Sequence, residues 1–90
     1  MVWKIELEKS AERELDKLDP QIAKRIVFFL NDRVATLDDP RTIGEALKGA
    51  KFGSYWKYRV GAYRIISKIE DDVLLILVVK IGNRSEVYKR

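Results

Sequence analysis

Apolar spacing passes from helical to strand-like part-way along this chain, and that change limits the folds open to it. After a short alternating start, apolar residues recur every three or four positions as far as Leu37. From Tyr55 onward they alternate or run on without a break. Helical spacing followed by strand spacing predicts one α+β domain spanning residues 1–90.

Residues Val2 to Leu7 alternate, with Trp3, Ile5 and Leu7 on one face, as in a half-buried strand. Ser10 offers an N-cap, and Ala11, Leu15 and Leu18 then form the stripe of a short helix ending near Leu18. Asp19-Pro20 is a second start signal, a capping carboxylate followed by proline at the first helical position. Ile22, Ile26, Phe29, Leu30, Val34 and Leu37 give the next helix one apolar face, and Asp38-Asp39-Pro40 stops it. Almost nothing joins the two helices, so they should form an antiparallel hairpin. Residues 40–52 read as a loop anchored by Leu47.

The remainder reads as strands. Tyr55 to Val60 and Tyr63 to Ile69 flank Gly61-Ala62, a two-residue hairpin loop with glycine first. Glu70-Asp71-Asp72 turns the chain into Val73 to Lys80, a central strand expected to be covered on both faces. Gly82-Asn83 should break it, and Ser85 to Tyr88 should form a short last segment. Trp3, Trp56 and Phe28-Phe29 are expected in the core.

The chain has no cysteine and no histidine. Disulfides, thiolate metal sites and histidine-based triads are thereby excluded. No metal or other cofactor is expected. The longest apolar run, Val73 to Val79, is too short to span a bilayer, and the start carries no signal-peptide block. A cytoplasmic protein without a membrane partner is the expectation. Net charge is +4, unevenly placed. Residues 1–50 hold nine Lys/Arg against ten Asp/Glu, net −1, and residues 51–90 hold nine against four, net +5. Such a split suits a polyanionic partner, although a merely soluble basic protein would also show it.

Strand alternation puts Tyr55, Lys57 and Arg59 on one face, and Arg64, Ile66 and Lys68 on one face of the next strand. Arg84 and Tyr88 follow the last strand. If the strands form one sheet, these cations could ring a shallow surface that binds phosphate, with tyrosines to stack on bases. Lys57 and Arg59 could equally be solubilising charge, and Arg84 an ordinary turn residue.

Three stretches carry a resemblance: Leu47-Lys48-Gly49, then Tyr55 to Ile66, then Ile81-Gly82-Asn83-Arg84-Ser85-Glu86-Val87-Tyr88. Together they resemble the RelE/ParE superfamily of bacterial and archaeal toxins. The resemblance implies a RelE-like fold, an N-terminal strand and helical hairpin packed on a small antiparallel sheet. For the RelE branch it implies a metal-free endoribonuclease that enters the ribosomal A site and cuts mRNA there. A ribose 2′-hydroxyl would attack the adjacent phosphate, leaving a cyclic phosphate and a free 5′-hydroxyl. A cognate RelB-like antitoxin would neutralise it.

On that resemblance, Arg64 steadies the transition-state phosphate, Arg84 helps the leaving oxygen, and Tyr88 stacks or moves a proton. Lys57 falls where RelE enzymes keep a catalytic lysine. Arg59, Lys51, Lys68 and Lys89 extend the RNA-binding face. Asn83 stands where many relatives have histidine or lysine, and Tyr55 stands in place of a second lysine. A lysine or tyrosine base titrates near 10 when unperturbed, and neighbouring cations lower that value. Much of the rate would then come from holding mRNA in line on the ribosome. The ParE branch implies a different activity, inhibition of DNA gyrase without catalysis. A catalytically dead RNA- or antitoxin-binding module is a third reading.

Overall fold

The structure, a computed structural model, describes residues 2–47 and 55–87. The chain runs β1 (Lys4–Leu7), α1 (Lys9–Asp16), α2 (Pro20–Phe28), a π-helical segment (Phe29–Val34) and a 3-10 turn (Pro40–Ile43). It continues with β2 (Glu45–Ala46), β3 (Tyr55–Val60), β4 (Tyr63–Glu70), a 3-10 turn (Asp71–Val73), β5 (Leu75–Asn83) and α3 (Arg84–Val87). The five strands form one sheet in the order β1-β5-β4-β3-β2. The helices and their main core lie on one face of it.

Strands β2 to β5 form the small antiparallel sheet expected, and β1 joins it parallel to β5, which makes the whole sheet mixed. The α1–α2 segment between β1 and the rest lets the chain return beside β5 in the same direction. β5 is interior as expected, between β1 and β4, although β4 is the middle strand of the five. Along β5, buried Ile76, Val78 and Ile81 face the helices, while Leu75, Leu77 and Val79 stay half-buried. Leu74, with φ 51°, closes the turn before it, so β5 starts two residues later than expected. It also continues through Gly82-Asn83, which pair with Arg64 and Tyr63.

Asp19-Pro20 starts α2 as its chemistry requires: the Asp19 carboxylate accepts from the Gln21 N–H at 2.9 Å, and Pro20 takes the first turn. Ser10 does not cap α1. The helix begins earlier, its N-cap is Glu8 without a side-chain bond, and it ends at Asp16. In α2 and beyond, Ile22, Ile26, Leu30 and Val34 are spaced by fours. Each such step overshoots an α-helical turn by about 40°, which would swing Val34 away from the sheet. The π segment takes up that drift: the Ala35 N–H bonds to Leu30 O at 2.9 Å, and Leu30 and Val34 stay buried.

Trp3 is buried as expected, and Phe29 meets Tyr58 edge-on at 6.1 Å. Phe28 is not in the core; it stands 61% exposed. Trp56 is half-buried, with the Arg41 guanidinium 5.7 Å above its ring. Tyr58, fully buried, donates its hydroxyl to Pro40 O at 2.6 Å. Gly44 permits that contact, since a Cβ there would lie 2.9 Å from the Tyr58 ring.

Candidate anion-binding face

The hairpin forms where Gly61-Ala62 predicts it, with Val60 opposite Tyr63 and Gly61 at φ 59°. That register decides the site. Directly opposite residues of an antiparallel pair project to the same side. Arg59 faces Arg64, Lys57 faces Ile66 and Tyr55 faces Lys68. All six therefore share the face turned away from the helices. Ile66 and Leu47 are buried there with Tyr55 and Val79 against them, giving the face an apolar floor.

At one end of this face a cleft of about 210 Å³ is lined by Ile43, Glu45, Lys57, Arg59 and Arg64. Arg64 is only 7% exposed. Its Nη1 donates to Gly61 O at 3.1 Å and to Tyr63 O at 3.0 Å. The turn thus fixes the guanidinium. Arg59 is exposed, and Lys57 is half-buried.

Glu45 went unrecognised in the sequence. It lies opposite Lys57 across β2–β3 and pairs with it at 3.1 Å. The Lys57 ammonium, hydrogen-bonded to it, holds the Glu45 carboxyl below the usual carboxylate range, and the fields of Arg59 and Arg64 act in the same sense. One carboxylate therefore already sits in the joint field of three cations. A two-residue strand has no periodicity, so nothing in the sequence marks Glu45 as facing Lys57.

Arg84 is exposed and does not line the cleft, but its N–H bonds to Ala62 O at 2.9 Å. Its backbone therefore grips the same turn that positions Arg64. Asn83 accepts from the Ser85 N–H and hydroxyl, both at 3.0 Å, which makes it the cap of α3. Its residue type is accounted for by that structural role. Lys68 is exposed on the same face, four residues or about 13 Å along the strand from Arg64. Tyr88, Lys51 and Lys89 lie outside the described residues.

A larger cleft, about 540 Å³, opens between α1 and the end of β5. Two of its polar groups are committed to the fold: Glu14 accepts from the Ile81 N–H at 2.8 Å, and Asn83 caps α3. Among the described residues, no three Asp or Glu converge as metal ligands. No described helix is long and apolar enough to cross a membrane.

Residues 5–88 match the family described as ParE toxin of type II toxin–antitoxin system, parDE. The chain belongs to this toxin family. The RelE/ParE resemblance of its three motif stretches is thereby shown, and the protein is a toxin of a type II toxin–antitoxin module. It is 26% identical over 90 residues to Toxin RelG of Mycobacterium tuberculosis (strain ATCC 25618 / H37Rv), covering all of both chains. It is 29% identical over 90 residues to a putative RelE-like toxin protein of Escherichia coli, covering 98% of this chain and 92% of the relative. The fold matches a chain of the toxin–antitoxin complex RelBE2 of Mycobacterium tuberculosis with TM-score 0.84 at 22% identity, over 96% of this chain and 95% of that one.

Proposed function

We propose that this toxin is an endoribonuclease that cuts mRNA in the ribosomal A site, without a metal ion in the reaction, and that a cognate RelB-like antitoxin holds it in check. The observation that carries the reading is the convergence of Lys57, Arg59 and Arg64 on one cleft. The scissile phosphate enters that cleft and competes with Glu45 for Lys57. The ribose 2′-hydroxyl attacks phosphorus, loses its proton to a base, and the 5′-oxygen leaves and is protonated. The products are a cyclic phosphate and a 5′-hydroxyl end. Arg64, already fixed by two backbone acceptors, offers its remaining donors to the phosphorane as charge grows there. Arg59 neutralises a neighbouring phosphate. Arg84, held at the same turn, and Tyr88 take the leaving-group and stacking or proton-handling roles that the family resemblance assigns.

The matched family is described as ParE, which favours a second reading, inhibition of DNA gyrase without catalysis. A translation mixture reconstituted from purified components and lacking gyrase separates the two. The nuclease reading expects the toxin to arrest it, and Lys57→Glu or Arg59→Glu to restore translation. Lys17→Glu on the helical side should not. Undisturbed translation, with gyrase supercoiling blocked in a parallel assay, would put the second reading first.

A further inference from the structure

Ile43 and Glu45 form one wall of the Lys57–Arg64 cleft, and the sheet itself holds that wall only lightly. β2 is two residues long, with Glu45 opposite Lys57 and Ala46 opposite Trp56, and the Leu47 N–H adds a bond to Tyr55 O at 3.0 Å. That is below the usual length of a strand. Ile43 is 41% exposed, so burial does little to fix it. Upstream, Pro40 O accepts from Tyr58, and the turn after it is tied down by Arg41. The Arg41 guanidinium donates to both Asp71 oxygens, at 3.1 and 2.7 Å, and to Asp39 at 3.3 Å, while lying over the Trp56 ring. A lone exposed ion pair contributes little. Here a planar fork meets one carboxylate with both arms, a second carboxylate and an aromatic face, which together select one geometry for the guanidinium. The hydrogen bonds from Arg41 hold the Asp71 carboxyl below the usual carboxylate range. Arg41 thereby joins its own turn to β3 and to the turn between β4 and β5. It does not itself line the cleft.

We propose that Arg41 is a positioning residue for the cleft: clamped on Asp71, it fixes residues 40–46, and through Glu45 it fixes where the Lys57 ammonium stands. The proposal rests on the nuclease reading above for its kinetic consequence alone. The Glu45 side chain is 74% exposed where it meets Lys57 at 3.1 Å, so the backbone of β2, not burial, locates it. With the Arg41 clamp open, the wall recedes and Glu45 withdraws from Lys57. The ammonium is then available to phosphate but no longer oriented. Binding and chemistry change in opposite senses, which partial unfolding cannot produce.

Arg41→Met keeps a stem over Trp56 and removes the fork. In the free toxin, side-chain NMR follows the titration of the Glu45 carboxyl, identified by its loss in Glu45→Gln. In Arg41→Met that titration should move up towards the usual carboxylate range, as Glu45 leaves the fields of Lys57, Arg59 and Arg64. On programmed ribosomes, at a temperature where each variant is folded, Arg41→Met should bind at least as tightly as wild type. It should cut about tenfold more slowly in single turnover, since a small misplacement of a reacting group is costly. Asp71→Asn should do the same, and combining the two should add nothing. Arg41→Lys, charged but unforked, should recover part of the rate. In the Glu45→Gln background, Arg41→Met should lose most of its effect. An unchanged Glu45 titration in Arg41→Met would overturn the proposal. So would an undiminished effect in the Glu45→Gln background, which would have Arg41 act by another route. Weaker ribosome binding at an unchanged rate would overturn it too, making Arg41 a direct RNA contact. If the wild-type toxin cuts nothing, the nuclease reading fails, and the titration alone decides this proposal.

Discussion

Arg64→Met removes a guanidinium while keeping most of an apolar stem, and two separable effects are expected, one from the anchoring seen in the structure and one from the proposed chemistry. Arg64 is 7% exposed and spends Nη1 on Gly61 O and Tyr63 O. A hydrogen bond from a charged donor contributes about 1.5–3 kcal/mol. The two here share one nitrogen and lie part-way open to water, so about 2–3 kcal/mol is expected for the pair. For a domain of this size that lowers the midpoint by roughly 10–20 °C. A domain stability of about 5–15 kcal/mol still leaves the variant folded at room temperature. The second effect is on chemistry. Loss of a donor aimed at the developing phosphorane costs about 3–4 kcal/mol of barrier, two to three orders of magnitude in rate. Calorimetry reads the first effect, and single-turnover cleavage on programmed ribosomes at 20 °C reads the second. Arg64→Lys keeps the charge but not the fork, and should fall between wild type and Arg64→Met in both. A midpoint within about 2 °C of wild type would refute the anchoring argument. Unchanged cleavage in a variant shown to be folded would refute the catalytic one.

Glu45→Gln should tighten binding to ribosomes several-fold and steepen its salt dependence, because the carboxylate charge that competes with a phosphate for Lys57 is removed; weaker binding would mean that Glu45 supports the substrate instead of competing with it. Burial pushes the Tyr58 phenol up to about 12. Its folded value lies above the unfolded value of about 10, so its contribution is complete below pH 10 and is lost as pH rises towards 12. Tyr58→Phe should therefore cost about 1 kcal/mol at neutral pH and lose stability less steeply than wild type at alkaline pH, and identical alkaline profiles would contradict this. The Ser67 hydroxyl is fully buried without a partner among the described residues, so Ser67→Ala should leave stability unchanged or raise it by about 1 kcal/mol in chemical denaturation, whereas a clear loss would reveal a hidden acceptor.

Features that depend on neighbouring residues were legible in the sequence. Asp19-Pro20 caps and starts a helix through its own side chain and ring, and Gly61 supplies the positive φ its turn requires. Alternation then placed Lys57, Arg59 and Arg64 correctly, because the hairpin register follows from that turn. Features set by distant contacts were not legible. The direction of β1 depends on where the chain returns beside β5. Phe28 was expected in the core by residue type alone, but it stands off the face that Ile22, Ile26 and Phe29 share and is exposed, while Phe29 is partly buried against Tyr58. Glu45 joins the site through a two-residue strand too short to carry a pattern. Asn83 reads in the sequence as a lost proton carrier and in the structure as a helix cap.

The central claim is that the cation cleft cuts mRNA on the ribosome. It is tested most directly by primer-extension mapping of a defined message, held on ribosomes with an empty A site, before and after the purified toxin is added. Magnesium would be replaced by an inert hexammine complex that keeps the ribosomes intact. The account predicts a new end within the A-site codon, bearing a 5′-hydroxyl, appearing in the hexammine as in magnesium and absent with Arg64→Met. A message that stays whole, with the toxin folded and growth still arrested in cells, would contradict it.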